Sequence, residues 1–154
     1  MIQENKELLL KDLCCRLPYG VKCTFNGKNI YKVYGIDEVV NDDGDWEYAI
    51  CTKRTSPLYI SDCKPYLFPL SSMTTIQENE FHFLFPSLVV RRDEYGFVDI
   101  ISKSTKDKWD DTYNYKTYLN DWKKAIQWLL KNHFDINKLI PKNLAINATG
   151  LNIY

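Results

Sequence analysis

The two histidines, His82 and His133, are the side chains of this sequence that could most readily act as a general base or a metal ligand. His82 stands in the aromatic run FHFLF, residues 81–85, and His133 falls at the C-terminal end of a predicted helix. Neither has a second histidine, a cysteine or a carboxylate at the spacing of a metal site. We therefore favour structural roles for both. Because the C-terminal end of a helix stabilises a cation, the sequence predicts a positively charged His133.

The cysteines are odd in number and form no CxxC pair: Cys14, Cys15, Cys23, Cys51 and Cys63. A disulfide framework or a zinc site would show regular spacing. A nucleophilic cysteine would need a neighbouring base and a lowered pKa. Since all five fall in or beside predicted helices and strands, we interpret them as core thiols that stay free in a reducing cytoplasm.

Two charged stretches could bind small ligands or ions. Residues 103–109, KSTKDKW, combine Lys106 and Lys108 with Trp109, which are residue types that contact phosphate groups or single strands. Together with Arg91 and Arg92 they could form a nucleotide site, although none of the glycine-rich phosphate-binding motifs occurs. Residues 37–47 carry six carboxylates and no cation. Within them, residues 41–47 could suggest a calcium loop but lack the alternating ligands and the distant glutamate of an EF-hand. We interpret residues 41–47 as the polar tip of a hairpin.

Aromatic side chains offer the strongest indication of a contact surface. They make up 14% of the residues, more than a core of this size needs, so some rings should lie at the surface. Tyr113, Tyr115, Tyr118 and Trp128 fall in or beside a predicted helix but outside its apolar stripe, with Trp128 about 200° from Trp122. We predict a partner surface here. For Trp128 we slightly prefer packing against another part of the chain.

The helix that would position these rings is predicted over residues 115–134. Its apolar stripe recurs at steps of three and four and comprises Leu119, Trp122, Ile126, Leu129, Leu130 and His133. Residues 4–17 predict a first helix. Residues 75–85 predict another, capped by Ser72 or Thr74 with Gln77 or Glu78 as the capping-box partner.

The strands are predicted from β-rich runs separated by turn residues. An Asn-Gly turn separates residues 21–25 from 29–40, and with residues 46–53 these should form an antiparallel meander. Residues 88–92 and 97–102 predict a further hairpin. Pro65 and Pro69 should exclude residues 66–68 from a central strand, and residues 136–154 should close the chain irregularly. The predicted fold is one α+β domain over residues 1–154, with an antiparallel sheet of about five strands packed against a long C-terminal helix and a shorter N-terminal helix.

Charge and hydropathy exclude some classes of function. Twenty basic and twenty acidic residues balance, which disfavours general affinity for nucleic acid. No apolar run approaches the ~18 residues of a membrane span. The N-terminal apolar run is short and interrupted by charges, unlike a signal peptide. We expect a cytoplasmic protein with no membrane partner, no cofactor and no metal.

Residues 64–74, KPYLFPLSSMT, resemble the KPYLxPxSSMT stretch of small uncharacterised proteins carried by phages and prophages of gut Bacteroides-type bacteria. Residues 8–21, LLLKDLCCRLPYGV, and residues 130–148, LKNHFDINKLIPKNLAINA, are similar to the same group. The resemblance implies a mobile-element protein in a bacterial cytoplasm and brings no activity with it.

Three functions remain open at this point. We favour a non-enzymatic accessory protein of a mobile element that binds another protein, or a copy of itself, through its aromatic surface. The alternative is a small-ligand or nucleotide-binding protein that sequesters a host signal. The third is an enzyme that uses His82 or His133 as a general base.

Overall fold

The computed structural model has an α+β fold and describes residues 1–25, 27, 29–41, 43–54, 58–94, 98–102 and 113–154, with the backbone alone at 113–118. The helices are α1 (Gln3–Arg16), α2 (Thr75–Leu84) and α3 (Tyr113–Lys131). The strands are β1 (Lys22–Phe25), β2 (Asn29–Lys32), β3 (Gly35–Val40), β4 (Trp46–Cys51), β5 (Leu58–Tyr59), β6 (Cys63–Leu67), β7 (Leu88–Arg92), β8 (Val98–Ser102) and β9 (Ile146–Asn147). The predicted fold class is confirmed, as are a long C-terminal helix of 19 residues and a shorter N-terminal helix of 14.

The described strands form three sheets, which corrects the prediction of one antiparallel sheet of about five strands. The largest has the order β2-β1-β6-β9, the second β3-β4-β5, and the third is the hairpin β7-β8. β9 runs parallel to β6, so the largest sheet is mixed, whereas its other pairs and the two smaller sheets are antiparallel.

The predicted strand over residues 29–40 is divided between two sheets, so the three-stranded meander is wrong. Val33 N–H donates to the Val21 carbonyl at 3.0 Å, and Tyr34 N–H donates to the Cys51 carbonyl at 2.9 Å. The chain therefore changes sheets between Val33 and Tyr34. The Asn-Gly hairpin β1–β2 is confirmed, and Gly27, the glycine of its turn, has a φ of 70°.

Pro65 lies inside β6, a central strand, which contradicts the prediction made from the two prolines. Leu67 accepts a hydrogen bond from Ala148 N–H, so its backbone faces β9. Pro65, two residues earlier, faces the same side, because alternate residues of a strand share a direction. The pairing with β9 begins only at Tyr66, so no bond to β9 requires a donor at Pro65.

Helix α1 covers the four-stranded sheet. Leu9 and Leu13, one helical turn apart, are fully buried against residues of β1, β4 and β6. The helix ends at a short 3-10 turn, Leu17–Tyr19, after which Gly20 adopts a φ of 72°. The predicted first helix is therefore confirmed. The prediction packed both this helix and the long C-terminal helix against one sheet, and α1 occupies that position.

Helix α3 packs instead with α2 and the β7–β8 hairpin, and its predicted stripe is rotated. Ala125 and Leu129 are buried, whereas Leu119 and Ile126 are 47% and 40% exposed. These two residues belong to a second hydrophobic core, separate from the one beneath α1. It also includes Phe81, Phe85 and Leu88, and Trp122 and Trp128 pack against it. Because the buried face is set by what lies beside the helix, the apolar residues on the flank away from α2 remain in water.

The end of α3 is a Schellman motif. His133 has a φ of 59° and its N–H donates to Leu130, while Phe134 N–H donates to Leu129. Beyond it, the segment predicted to be irregular includes β9 and returns to the core. Ile153 is 8% exposed, and the Tyr154 hydroxyl donates to the Tyr66 carbonyl at 2.8 Å.

Candidate functional site

The hairpin formed by β3 and β4 carries the most exposed tryptophan among the described residues. Its turn is held by Asn41, whose Oδ1 accepts hydrogen bonds from the N–H groups of Asp43 at 3.1 Å and Asp45 at 2.9 Å. Asn41 N–H also donates to the Asp45 carbonyl at 2.8 Å. The predicted polar hairpin tip is confirmed. Asparagine is suited to it because a side-chain amide can accept bonds from the turn that follows.

One face of this hairpin runs from the core into solvent. Its cross-strand pairs are Ile36 with Ile50, Glu38 with Tyr48, and Val40 with Trp46. Ile50 is 3% exposed, whereas Val40 is 53% and Trp46 75% exposed. Since alternate residues share a face, the inner pair anchors the hairpin and the outer pair presents apolar surface to water. We call Val40, Trp46 and Tyr48 the hairpin surface.

A half-open cleft of about 340 Å³ lies at this surface and is lined by Glu38, Trp46, Glu47 and Tyr48. We call it the Trp46 cleft. Glu38 is the cross-strand partner of Tyr48, and its carboxylate, as a hydrogen-bond acceptor and a negative charge, raises the pKa of the phenol. Glu47 pairs with Lys6 of α1, with 3.1 Å between Lys6 Nζ and Glu47 Oε1. Two aromatic rings and two carboxylates therefore surround the cleft.

The electrostatics of the Trp46 cleft favour positive charge. From Asp37 to Glu47 the sequence has six carboxylates and no lysine or arginine. Among the described residues, Glu38 forms no ion pair, and Glu47 is paired with Lys6. A surface of one sign concentrates ligands of the opposite sign.

Trp46 was not among the predicted site residues, although the sequence held a usable signal. The residue directly follows the polar turn NDDGD, so it begins a strand at the far end of a hairpin. A large ring at that place lies too far along the strand for a core at the hairpin base to cover it. The excess of aromatic residues instead predicts a contact surface on the long helix.

Trp128, the predicted contact residue of the long helix, packs inside the fold. Its ring stacks on Phe134 at 6.0 Å and meets Phe81 edge-on at 5.6 Å. Its indole N–H donates to Glu80 at 3.3 Å. The preference for intramolecular packing of Trp128 is therefore confirmed. Its ring contacts α2 and so holds α3 against that helix.

The predicted basic site is only partly within the described residues. Arg92 is committed to its own fold: it donates to the carbonyls of Ser71 and Met73, each at 3.2 Å, and pairs with Glu78. Arg91 is exposed and lies opposite Asp99 in the β7–β8 hairpin. Lys106, Lys108 and Trp109 lie outside the described residues, as do the side chains of Tyr113, Tyr115 and Tyr118.

Both histidines have structural roles. His82 Nε2 accepts a hydrogen bond from Val90 N–H at 3.2 Å, which joins α2 to β7. His133 stacks on Tyr154 at 3.7 Å with 12° between the ring planes. Burial, assisted by Arg16 and Lys22, lowers the pKa of His133 to about 4. The predicted cationic His133 is therefore wrong, because desolvation exceeds the helix-dipole effect.

The cysteines differ in burial: two are buried, Cys51 is half-buried and two are exposed. Cys23 and Cys63 are fully buried, and a hydrogen bond to Cys23 together with burial raises the pKa of Cys63, which keeps that thiol protonated. Cys51 donates to Asp37 at 3.0 Å. Cys14 and Cys15 are exposed on α1, so the interpretation as core thiols is wrong for these two.

The described residues were compared with the requirements of a metal site and of a membrane span. No group of three or more histidine, cysteine, aspartate or glutamate side chains there could hold a metal ion. Within the same ranges, none of the helices combines the length and the hydropathy that crossing a bilayer requires.

A second exposed apolar patch lies on α2. Ile76 and Phe83 are 81% and 85% exposed and, at a spacing of seven, share the outward face of the helix. Phe81 on the inward face is fully buried. Glu80 at the margin of this patch is bonded to Trp128.

No family model matches this chain, and searches among curated proteins and solved structures found no significant similarity.

Proposed function

We propose that this protein is a non-enzymatic protein-binding module that docks a partner through the hairpin surface. The observation that carries the proposal is Trp46, 75% exposed on a hairpin whose base is fixed in the core. Tryptophan is among the residues that contribute most to protein interfaces. An exposed ring beside a cleft can bury a large apolar area on binding with little loss of side-chain entropy.

The backbone of the same hairpin supports a peptide or protein as the partner. Among the described strands, β3 is one of the two edge strands of the β3-β4-β5 sheet, so one side of it can offer backbone donors and acceptors to an extended segment. Asn41 and the cross-strand pairing hold the hairpin in one conformation before binding. A preorganised surface loses less entropy when a partner docks.

The setting of this proposal comes from the sequence. The resemblance to phage and prophage proteins of gut Bacteroides-type bacteria suggests an accessory protein of a mobile element. Free cysteines, two of them exposed on α1, suit a reducing cytoplasm. The nucleotide-binding alternative stays a prediction, and of its described residues Arg92 is already bonded within the fold.

Affinity capture with matched variants tests the proposal. Wild type, Trp46→Ala and Phe83→Ala are immobilised separately and exposed to lysate of a gut Bacteroides-type bacterium, and the retained proteins are quantified. Phe83 is the control because it is an equally exposed aromatic on another element. We expect a protein whose retention falls about 30-fold or more with Trp46→Ala, the size of an interface hot spot, and is unchanged with Phe83→Ala.

The same partner, purified, should then bind wild type directly in a titration. Trp46→Ala should leave the free energy of unfolding within about 0.5 kcal/mol of wild type, since the ring is exposed. Retention that does not depend on Trp46, or that is lost equally with Phe83→Ala, would refute this proposal. Light scattering tests the case of a second copy as the partner, for which the mass should fall to that of a monomer with Trp46→Ala.

A further inference from the structure

We infer that the Trp46 cleft takes one lysine or arginine side chain, supplied by a basic segment of the partner. This inference rests on the proposed function, because it names the chemistry that the hairpin surface would recognise. It is carried by the juxtaposition of the exposed Trp46 ring, the half-buried Tyr48 ring, a carboxylate that has no ion pair among the described residues, and a cleft of side-chain size.

The aromatic part of the cleft suits a cation. Trp46 and Tyr48 are two residues apart on β4, so both rings lie on the same face of the hairpin. The face of an aromatic ring attracts a positive charge, and tryptophan attracts it most strongly. With about 340 Å³, the cleft is at the lower limit of small-ligand pockets, which fits one long side chain better than a complete cofactor.

The carboxylates give the site its charge selectivity. Glu38 makes no ion pair among the described residues and lies directly across the hairpin from Tyr48. Glu47 on the same cleft already holds an ammonium group, since Lys6 Nζ lies 3.1 Å from its Oε1. The Lys6–Glu47 pair is thus an example, within this chain, of the ammonium–carboxylate interaction that we assign to the partner. Glu38 is the carboxylate left for the incoming cation.

The surroundings disfavour the other small ligands. An anion would meet the two carboxylates that line the cleft, Glu38 and Glu47, and Lys6 beside them is already paired with Glu47. A neutral apolar side chain could stack on Trp46 but would leave Glu38 without a counter-ion. A partner segment with lysine or arginine satisfies the ring and the carboxylate together, and its aliphatic stem can lie along Val40.

Nuclear magnetic resonance of the full-length protein tests the inference directly. The indole N–H signal of Trp46 is assigned by its loss in Trp46→Phe. The protein is then titrated with blocked tripeptides Gly-Lys-Gly and Gly-Arg-Gly. The matched controls are Gly-norleucine-Gly, which keeps the stem without the charge, and Gly-Glu-Gly. We expect saturable shifts of the Trp46 signal with the two cationic peptides and none with the controls.

Substitution of the carboxylate provides the second readout. Glu38→Gln should weaken binding of the cationic tripeptides about twofold to fivefold, as expected for one exposed charge contact, and Glu94→Gln, an exposed glutamate outside the cleft, should not. Binding should also weaken as ionic strength rises. Equal shifts with norleucine and lysine, or no shift with any cationic peptide, would overturn the inference.

The two proposals fail in different ways. If a partner depends on Trp46 but neither Glu38→Gln nor salt affects its binding, the hairpin surface is an apolar interface and only the cationic inference falls. If the lysine peptide shifts Trp46 but no protein is retained through Trp46, the cleft recognises cations and the proposed function falls.

Discussion

His133 shows how one side chain can be held in a state opposite to that favoured by its local position. It occupies the left-handed position of the Schellman motif, where its ring stacks on Tyr154 and remains 7% exposed. The helix dipole would stabilise a cation there by about 0.3–1 kcal/mol. A single pKa unit already corresponds to about 1.4 kcal/mol, so desolvation, with Arg16 and Lys22 nearby, outweighs the dipole.

The neutral state of His133 predicts a pH dependence of stability. Its pKa falls from 6.5 in the unfolded chain to about 4 in the folded protein, so the unfolded state binds more protons between these values. Stability from this group is complete above pH 6.5 and is lost as the pH falls toward 4, by at most about 1.4 kcal/mol per pH unit. Urea unfolding at a series of pH values measures the slope.

His133→Asn is the matched variant for this prediction, because asparagine tolerates a positive φ and does not titrate. The variant should show a flatter dependence between pH 6.5 and 5, above the range in which carboxylates begin to protonate. An identical slope in both proteins would mean that His133 does not carry the effect.

At the scale of an element, helix α2 combines local and tertiary control. Local hydrogen bonds fix where the helix begins, and neighbouring elements decide which of its faces is buried. Thr74 Oγ1 accepts from Gln77 N–H at 3.3 Å, and Gln77 Oε1 accepts from Thr74 N–H at 2.9 Å, which completes a capping box. On the body of the helix, Phe81 is buried and Phe83 is 85% exposed. Both phenylalanines have the same helix propensity, so only their surroundings separate them.

The capping box predicts a difference between two adjacent threonines. Thr74→Ala removes the acceptor for Gln77 N–H and should destabilise the protein by about 1 kcal/mol. Thr75→Ala, one residue further on and equally exposed, should change stability by less than about 0.5 kcal/mol. Urea unfolding of both variants checks the prediction, and equal effects would show that the cap contributes nothing measurable.

At the scale of the whole molecule, buried polar groups join α1 to the end of α3. Asp12 and Arg16 are both fully buried, with 2.6 Å between Arg16 Nε and Asp12 Oδ2. Arg16 Nη2 also donates to the Phe134 carbonyl at 2.8 Å, and Asn137 Nδ2 donates to Asp12 at 2.8 Å. A buried ion pair fixes which surfaces meet, even where it adds little net stability.

The C-terminal segment closes the molecule across the four-stranded sheet. Lys22 N–H donates to the Tyr154 hydroxyl at 3.1 Å, and that hydroxyl donates in turn to the Tyr66 carbonyl. Although Tyr154 as a residue is 41% exposed, desolvation raises the pKa of its phenol to about 12. The segment is therefore part of the fold as far as its last residue.

Substitutions near the end of the chain test this closure. Ile153 is 8% exposed, and Ile153→Ala should destabilise the protein by about 2 kcal/mol through lost apolar burial and a cavity. Leu151→Ala, at a position 49% exposed, should cost less than about 1 kcal/mol. Hydrogen exchange at Ala148 N–H, which donates to Leu67, should accelerate only in Ile153→Ala. Unchanged exchange in that variant would contradict the closure.

The sequence by itself determined the features that depend on neighbours a few residues away. The capping box of α2, the Asn-Gly hairpin, the β7–β8 hairpin and the first helix follow from turn chemistry and periodicity, because the bonds that form them are local. The same holds for the polar tip around Asn41, which is the part of the candidate site that could be predicted. The α+β class follows from these elements together.

Only the tertiary structure decided which faces are covered. Trp128 lies within the fold because α2 is beside it, and Trp46 lies at the surface because no described element covers the end of its hairpin. Pro65 is tolerated in a central strand because β9 begins to pair one residue later. The burial or strand position of each residue depends on segments distant in sequence. The spacing of residues within one segment does not indicate which other segments will pack against it.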